Sequence, residues 1–188
     1  ACVAGALGDY LREQGDAPGA DAELRAMVPV NLRPAAQAAQ LGNHFGFAPL
    51  LLPIGNTHPG ERLFGLCARM SALKSGTQPL LAFGVLALSG LVTKPLQDAI
   101  TGLFSRKASA VVTNVPGPRQ TLHLLGARML SYRGTLPLTD YLGLATAVVS
   151  YDGKLQYGFT GDWDLMPDLD VFARCAGEAF ADLRAAVP

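Results

Sequence analysis

Nine residues, Ala110-Val111-Val112-Thr113-Asn114-Val115-Pro116-Gly117-Pro118, constrain the fold of this chain more than any other stretch. A β-branched run enters Asn114 and then stops on Pro-Gly-Pro. The run has the composition of a buried strand. Pro116 and Pro118 lack an N–H and fix their own φ, and each biases the residue before it toward extended geometry. Gly117 leaves one position with no side chain. The expected product is a stiff strand end, poor in backbone donors, that carries one amide side chain and has something packed closely against it.

The rest of the chain is rich enough in apolar residues to surround such a strand. Of its 188 residues, 49% are hydrophobic. That suits one domain, or one half of a larger two-lobed enzyme, and argues against disorder. Lys and Arg together number 15, as do Asp and Glu, so no field of one sign is available to hold nucleic acid. Three cysteines, Cys2, Cys67 and Cys175, lie far apart. Cys67 and Cys175 fall on the apolar faces of expected helices and are read as buried free thiols, which fits a reducing, cytoplasmic setting. The chain opens as a helix already under way, with no basic region of a secretory signal. It is therefore read as a piece with further residues upstream. Leu80 to Val92 is the longest apolar stretch, thirteen residues interrupted by Gly84, Ser89 and Gly90. It is too short to span a bilayer and is read as a helix packed on the sheet, or docked on a lipid surface.

Periodicity supplies the remaining elements. The first helix should end near Gln14-Gly15. Arg25–Leu32 and Phe47–Ile54 read as strands, with Pro29 placing the first at an edge or bulge. Pro59–Lys74 is the clearest helix, with Leu63, Leu66, Cys67, Met70 and Leu73 on one face and Pro59 in its first turn. Lys94–Phe104 is helical and Leu122–Tyr132 is expected to be a strand. Asp152-Gly153, between Leu144–Tyr151 and Lys154–Thr160, is a two-residue hairpin signal. A last helix begins near Pro167-Asp168. Strands and helices of mixed length imply an α+β mixed sheet flanked by helices.

No self-contained catalytic set is visible. His44, His58 and His123 have no Asp at motif spacing, and there is no nucleophile elbow, zinc-ligand spacing or glycine-rich phosphate loop. Asp162, Asp164, Asp168 and Asp170 surround Trp163. Capping of the last helix accounts for them better than a metal site does. Three segments, Pro29-Val30-Asn31-Leu32-Arg33, Leu41-Gly42-Asn43-His44-Phe45-Gly46 and Thr113-Asn114-Val115-Pro116-Gly117-Pro118, are built alike. Each sets an Asn at a strand end beside Pro or Gly. These amides either tie loops together or line a tunnel for a mostly apolar ligand.

At these residues the chain resembles the bacterial wax ester synthase/diacylglycerol acyltransferase family, over its C-terminal half. Ala68-Arg69-Met70, Leu73-Lys74, Phe104-Ser105-Arg106-Lys107-Ala108-Ser109, Gly126-Ala127-Arg128, Ser150-Tyr151-Asp152-Gly153 and Pro167-Asp168 continue the resemblance in order across nearly the whole chain, residues 1–188. It implies one lobe of a chloramphenicol acetyltransferase-like two-lobed acyltransferase, whose His-His-x-x-x-Asp-Gly motif belongs to the N-terminal lobe and is absent here. The implied reaction moves a fatty acyl group from acyl-CoA, as substrate, to a long-chain alcohol or diacylglycerol, with no cofactor. No catalytic residue is then expected in this chain. Asn114, Pro116, Gly117 and Pro118, followed by Asn31, Arg33, Asn43 and His44, are the candidates for a tunnel wall or lobe interface. The partners implied are the N-terminal lobe and the two lipid substrates, with peripheral contact at a membrane or lipid inclusion. A non-catalytic lipid-binding or scaffold lobe is the alternative, and a condensation-type enzyme with a carrier-bound acyl donor is a third reading.

Overall fold

The computed structural model describes residues 1–34, 44–77, 81, 84–85, 93–105, 108–138 and 142–186. Its elements run α1 (Cys2–Glu13), β1 (Glu23–Asn31), β2 (Phe45–Pro53), α2 (Pro59–Ser75), α3 (Lys94–Ser105), β3 (Ala110–Pro116), β4 (His123–Leu124), β5 (Ala127–Arg128), β6 (Leu144–Tyr151), β7 (Lys154–Gly161) and α4 (Leu169–Ala186). Five strands form a mixed sheet in the order β2-β1-β3-β6-β7, and β4 and β5 form a separate two-stranded pair. The outer pairs β1/β2 and β6/β7 are antiparallel, whereas β3 is parallel to both β1 and β6. The carboxyl ends of β1, β3 and β6 therefore meet at one edge of the sheet.

One face of the sheet carries the core. Ala26 of β1, Leu50 and Leu52 of β2, Ala110 of β3 and Leu144 of β6 pack with Leu7 and Tyr10 of α1 and with Phe172, Cys175 and Ala179 of α4. Phe172 is completely buried and takes the edges of Tyr10 and Phe159 at ring distances of 6.0 and 5.0 Å. Edge-to-face pairs of this kind contribute roughly 0.5–1.5 kcal/mol beyond the area they bury. Helix α1 approaches closely because two of its residues have no side chain. A Cβ on Gly8 would lie 2.2 Å from the carbonyl of Ile54, and one on Gly5 would meet the Arg62 guanidinium at 2.5 Å. Arg62 is itself buried, donating to the carbonyls of Ala1 at 3.1 Å and Asn56 at 2.9 Å, and its burial lowers its pKa.

The prolines sit where the ladder does not need a donor. The Leu32 amide bonds the carbonyl of His44, so even-numbered residues of β1 face β2 and Pro29 turns its nitrogen toward β3. The β1/β3 ladder pairs only Ala26 with Ala110 and Met27 with Val111. Pro29 lies past its end, so no ladder donor is lost, but β1 is an interior strand in continuous register with β2, neither the edge strand nor the bulge that Pro29 suggested. By the same alternation Pro49 and Pro53 present ring nitrogens along the open edge of β2. Arg69 of α2 takes the outward carbonyl of Leu51 at 2.7 Å and pairs with Glu23 at 2.6 Å. Proline and a long cation together blunt this edge against pairing with another chain.

Several expectations are met. Helices α1, α2 and α3 end within about two residues of their sequence limits, in the usual range of boundary error. Asp152 and Gly153 take φ of 48° and 73°, a type I′ pattern. Asp162 accepts from the amides of Asp164 and Leu165 in the turn before α4, and the Asp168 carboxylate accepts from the Tyr10 hydroxyl at 2.6 Å, so both have structural roles, without a carboxylate bond to an α4 amide among the described residues. Burial, then the adjacent Asp168, pushes the Tyr10 hydroxyl up to about 12, while that hydroxyl holds the Asp168 carboxyl below its ordinary value. Apart from these expectations, among the described residues no group of three His, Cys, Asp or Glu is placed to hold a metal, and no helix is long and apolar enough to cross a membrane.

Two further expectations are corrected. Cys67 is exposed, because α2 turns Arg62, Leu66 and Met70 inward and leaves Cys67 on its flank; Cys175 is buried as expected. Leu122–Tyr132 is not one strand but a short hairpin, β4/β5, that turns back at Leu125-Gly126. Most of Leu80–Val92 lies outside the described residues.

Among the described residues, two buried side-chain oxygens, Thr146 Oγ1 and Gln156 Oε1, have no hydrogen-bond partner. Thr146 of β6 is completely buried and its Oγ1 lacks a hydrogen bond. An unsatisfied buried hydroxyl costs about 1–3 kcal/mol. Thr146→Val keeps the branched shape, so it should raise the urea midpoint by the equivalent of about 1 kcal/mol with an unchanged slope. A lower midpoint would show that the hydroxyl is satisfied in solution.

Candidate functional site

The carboxyl edge shared by β1, β3 and β6 gathers the candidate residues into two groups. The first ends β1 and begins β2. Asn31 closes a tight turn by accepting from the Arg33 amide at 3.0 Å, and its strand partner is Phe45. His44 follows on, its carbonyl bonded by Leu32 at 2.9 Å, so Asn31, Arg33 and His44 share one end of the β1/β2 hairpin. Asn31 and His44 are exposed. Asn43 lies outside the described residues.

The second group ends β3. Asn114 is in register with Val148, and Pro116 with Ser150. Gly117 packs against the backbone of β6: its amide donates to Ser150 Oγ at 3.1 Å, and a Cβ there would lie 2.1 Å from the Ser150 carbonyl. The carbonyl of Pro118 then accepts from the Asp152 amide at 3.0 Å. The close neighbour that the Pro-Gly-Pro turn called for is the end of β6. Asn114 is exposed, and its carboxamide makes no hydrogen bond among the described residues.

The two groups face different sides. Asn114 has the parity of Ala110 and Val112, which point to the helices; Asn31 has the parity of Met27, which points away. Because the β1/β3 ladder stops at Met27 and Val111, β3 has no strand partner on that side from Val112 to Pro116 among the described residues. Among the described residues, no ladder bridges the strand ends that carry Asn31 and Asn114, and the two amides lie on opposite faces. The polar side chains at this edge are the amides of Asn31 and Asn114, with Arg33 and His44 at the β1/β2 end.

Two residues that anchor the edge carried no separate signal in the strand pattern. Ser150 holds Gly117. Tyr151 is buried at the end of β6, where its hydroxyl accepts from the Leu122 amide at 2.9 Å and donates to the Met129 carbonyl at 2.8 Å. A Ser-Tyr pair directly before an Asp-Gly turn was their only mark, since hydroxyls at a strand end are placed to tie down the next loop.

Gly117→Ala should therefore destabilise the chain, by about 1–3 kcal/mol, because backbone on backbone cannot give way. Gly177→Ala in α4, where a Cβ meets nothing within 4 Å, should stabilise by about 0.5–1 kcal/mol. Urea unfolding of both variants checks the contrast.

Comparison with known proteins accounts for this arrangement. Residues 41–184 match the family model described as the WS/DGAT C-terminal domain. The Mycobacterium tuberculosis protein named probable diacylglycerol O-acyltransferase tgs2 is 34% identical over 194 residues, covering 100% of this chain and 42% of the relative. The tgs1 protein of the same organism, similarly named, is 29% identical over 179 residues, covering 93% and 38%. The chain thus spans about two fifths of the length of these relatives. Among solved structures, the wax ester synthase/diacylglycerol acyltransferase of Marinobacter aquaeolei VT8 superposes with a TM-score of 0.70 at 23% identity, over 98% of this chain and 41% of that one. The starter condensation domain of rhizomide synthetase RzmA shares the fold more distantly, with a TM-score of 0.53, 16% identity, and 98% and 41% coverage. A mixed sheet flanked by helices, the lobe of a two-lobed acyltransferase fold, is what this likeness supports. The chain belongs to the WS/DGAT family, of which it carries the C-terminal domain.

Proposed function

We propose that this chain is the C-terminal part of an acyl-CoA-dependent O-acyltransferase that makes wax esters or triacylglycerol, and that its open sheet edge forms one wall of the substrate tunnel. The relatives' names support diacylglycerol as an acceptor, and the name of the Marinobacter protein adds wax ester synthesis. The observation that carries the wall assignment is the exposed Asn114 amide, which has no partner among the described residues and stands beside the strand-free side of β3.

The chemistry divides between two parts of the full-length protein. The acceptor's hydroxyl oxygen attacks the thioester carbonyl carbon, a C–O bond forms, and the C–S bond breaks. The hydroxyl proton goes first to a general base, supplied by the N-terminal lobe, and finally to the departing thiolate. The tetrahedral intermediate places negative charge on the former carbonyl oxygen. The Asn114 carboxamide has two N–H donors, and its role is to orient the carbonyl and stabilise that oxygen. The Pro-Gly-Pro turn, clamped to Ser150, keeps the amide's strand end from moving as charge develops. Asn31, Arg33 and His44 lie at the β1/β2 end of the same sheet edge, and Asn43 is proposed for the same wall from its sequence alone. Acyl-CoA is a substrate here, and no cofactor takes part. With lipid substrates, the enzyme works in the cytoplasm at the surface of the inner membrane or a lipid inclusion.

In the full-length protein, Asn114→Ala should lower kcat by roughly 10²-fold with little change in KM, as loss of one oxyanion donor does elsewhere. Steady-state assay with palmitoyl-CoA and a diacylglycerol checks this. Wild-type turnover in the variant would remove Asn114 from the reaction.

A further inference from the structure

Positive charge is segregated along this chain. Residues 99–139 hold five Lys and Arg and no Asp or Glu, although the whole chain has 15 charges of each sign. The fold gathers part of that excess at one corner, the carboxyl end of β6 just past the Pro-Gly-Pro turn. Arg119 follows Pro118, whose carbonyl accepts from the Asp152 amide at 3.0 Å. Arg128 of β5 reaches the Asp152 carboxylate at 3.3 Å. Lys154 opens β7 opposite Tyr151, two residues beyond Asp152. Arg119, Arg128 and Lys154 are all exposed.

The corner is held together without these cations. The Tyr151 hydroxyl ties Leu122 to Met129, and the Gly134 carbonyl packs where Gly158 of β7 has no side chain. Asp152 is the only carboxylate bonded to any of the three among the described residues, and it fixes the Arg128 guanidinium. Arg119 and Lys154 make no hydrogen bond or ion pair among the described residues. Elsewhere Arg12, Arg69, Lys94 and Arg174 each hold a carboxylate. Cations held close without counter-charge repel one another, and a bound anion relieves that repulsion.

A compact polyanion fits this corner. One corner on a chain of zero net charge does not supply the extended basic stripe that nucleic acid requires. Arginine offers phosphate a planar fork of donors, and lysine adds a point charge. Arg119 lies five residues past Asn114, at most about 17 Å along an extended chain. The pantetheine arm of coenzyme A bridges such a span. An acyl-CoA with its thioester carbonyl at Asn114 therefore brings its diphosphate and 3′-phosphate to these side chains. We propose that Arg119, Arg128 and Lys154 bind the phosphates of the acyl donor's nucleotide, with Asp152 orienting the Arg128 fork. The identity of the anion rests on the proposed function; the clustering of unpaired cations does not.

Calorimetric titration of the full-length protein with adenosine 3′,5′-bisphosphate tests it, since no turnover is needed. Arg119→Gln combined with Lys154→Gln should weaken that binding about tenfold. In steady-state assay the same double variant should raise the KM for palmitoyl-CoA about tenfold, with the change in KM and not in kcat, and should flatten the dependence of KM on salt. Arg119→Lys combined with Lys154→Arg keeps both charges and should restore most of the binding. Bisphosphate affinity and palmitoyl-CoA KM that ignore the glutamine substitutions overturn the proposal. So does a double variant that keeps its bisphosphate affinity but no longer floats with phosphatidylglycerol vesicles, because the cations then serve lipid headgroups. Turnover separates the two readings. An active wild type whose KM ignores the substitutions removes this corner and keeps acyl transfer. A protein that binds the bisphosphate through these residues but transfers no acyl group keeps the phosphate site and removes acyl transfer.

Discussion

Seven consecutive residue pairs hold β3 parallel to β6, from Ala110 with Leu144 to Pro116 with Ser150. The candidate site depends on this alignment. Parallel strands release their chain ends at the same edge, and both outer hairpins inherit that polarity. The Gly117–Ser150 clamp extends the register one residue past the ladder, so the turn after Asn114 is fixed by β6 and not by its own sequence alone. On the opposite side β3 meets β1 for only two pairs. The same strand is therefore rigid on one side and open on the other, which allows a fixed amide to border an opening.

Sequence reasoning succeeded where a local signal and the tertiary context agreed. The stripe through Leu66 and Met70 located α2. Asp152-Gly153 gave the β6/β7 hairpin because few other sequences adopt two successive positive φ angles. Pro-Gly-Pro correctly implied a close neighbour, but only the fold could show that the neighbour is Ser150. Three features were not legible. Leu122–Tyr132 had strand composition throughout, yet Leu125-Gly126 reverses it, at a corner that leucine rarely occupies. Cys67 obeyed the helical repeat, but α2 lies over the edge of the sheet and buries a narrower face than the repeat suggested. Asn31 and Asn114 looked equivalent, yet strand parity sends them to opposite faces.

Arg62 shows how packing can override a residue's usual preference. A helix-surface arginine becomes a core residue because Gly5 gives it room and two carbonyls receive its donors. It ties α1, the loop at Asn56 and α2 together without an ion pair within bonding distance among the described residues. Small residues at Gly5, Gly8, Gly117, Gly134 and Gly158 recur wherever two backbones, or a backbone and a large side chain, must approach. Close packing, more than charge, keeps the sheet edge in shape. That accords with the dry site that the proposed acyl transfer requires and with a chain whose net charge is zero.

The central claim is that this chain contributes one wall of a composite acyl-transfer site. The most direct measurement covalently traps an acyl donor in the full-length protein: a photoreactive long-chain acyl-CoA analogue is bound and irradiated, and the labelled residues are mapped by mass spectrometry. The account predicts label on the β3 end, at Asn114 to Pro118, and at Asn31 to His44, competed by palmitoyl-CoA. Label confined to the part of the protein outside this chain, with none at either strand end, would contradict it.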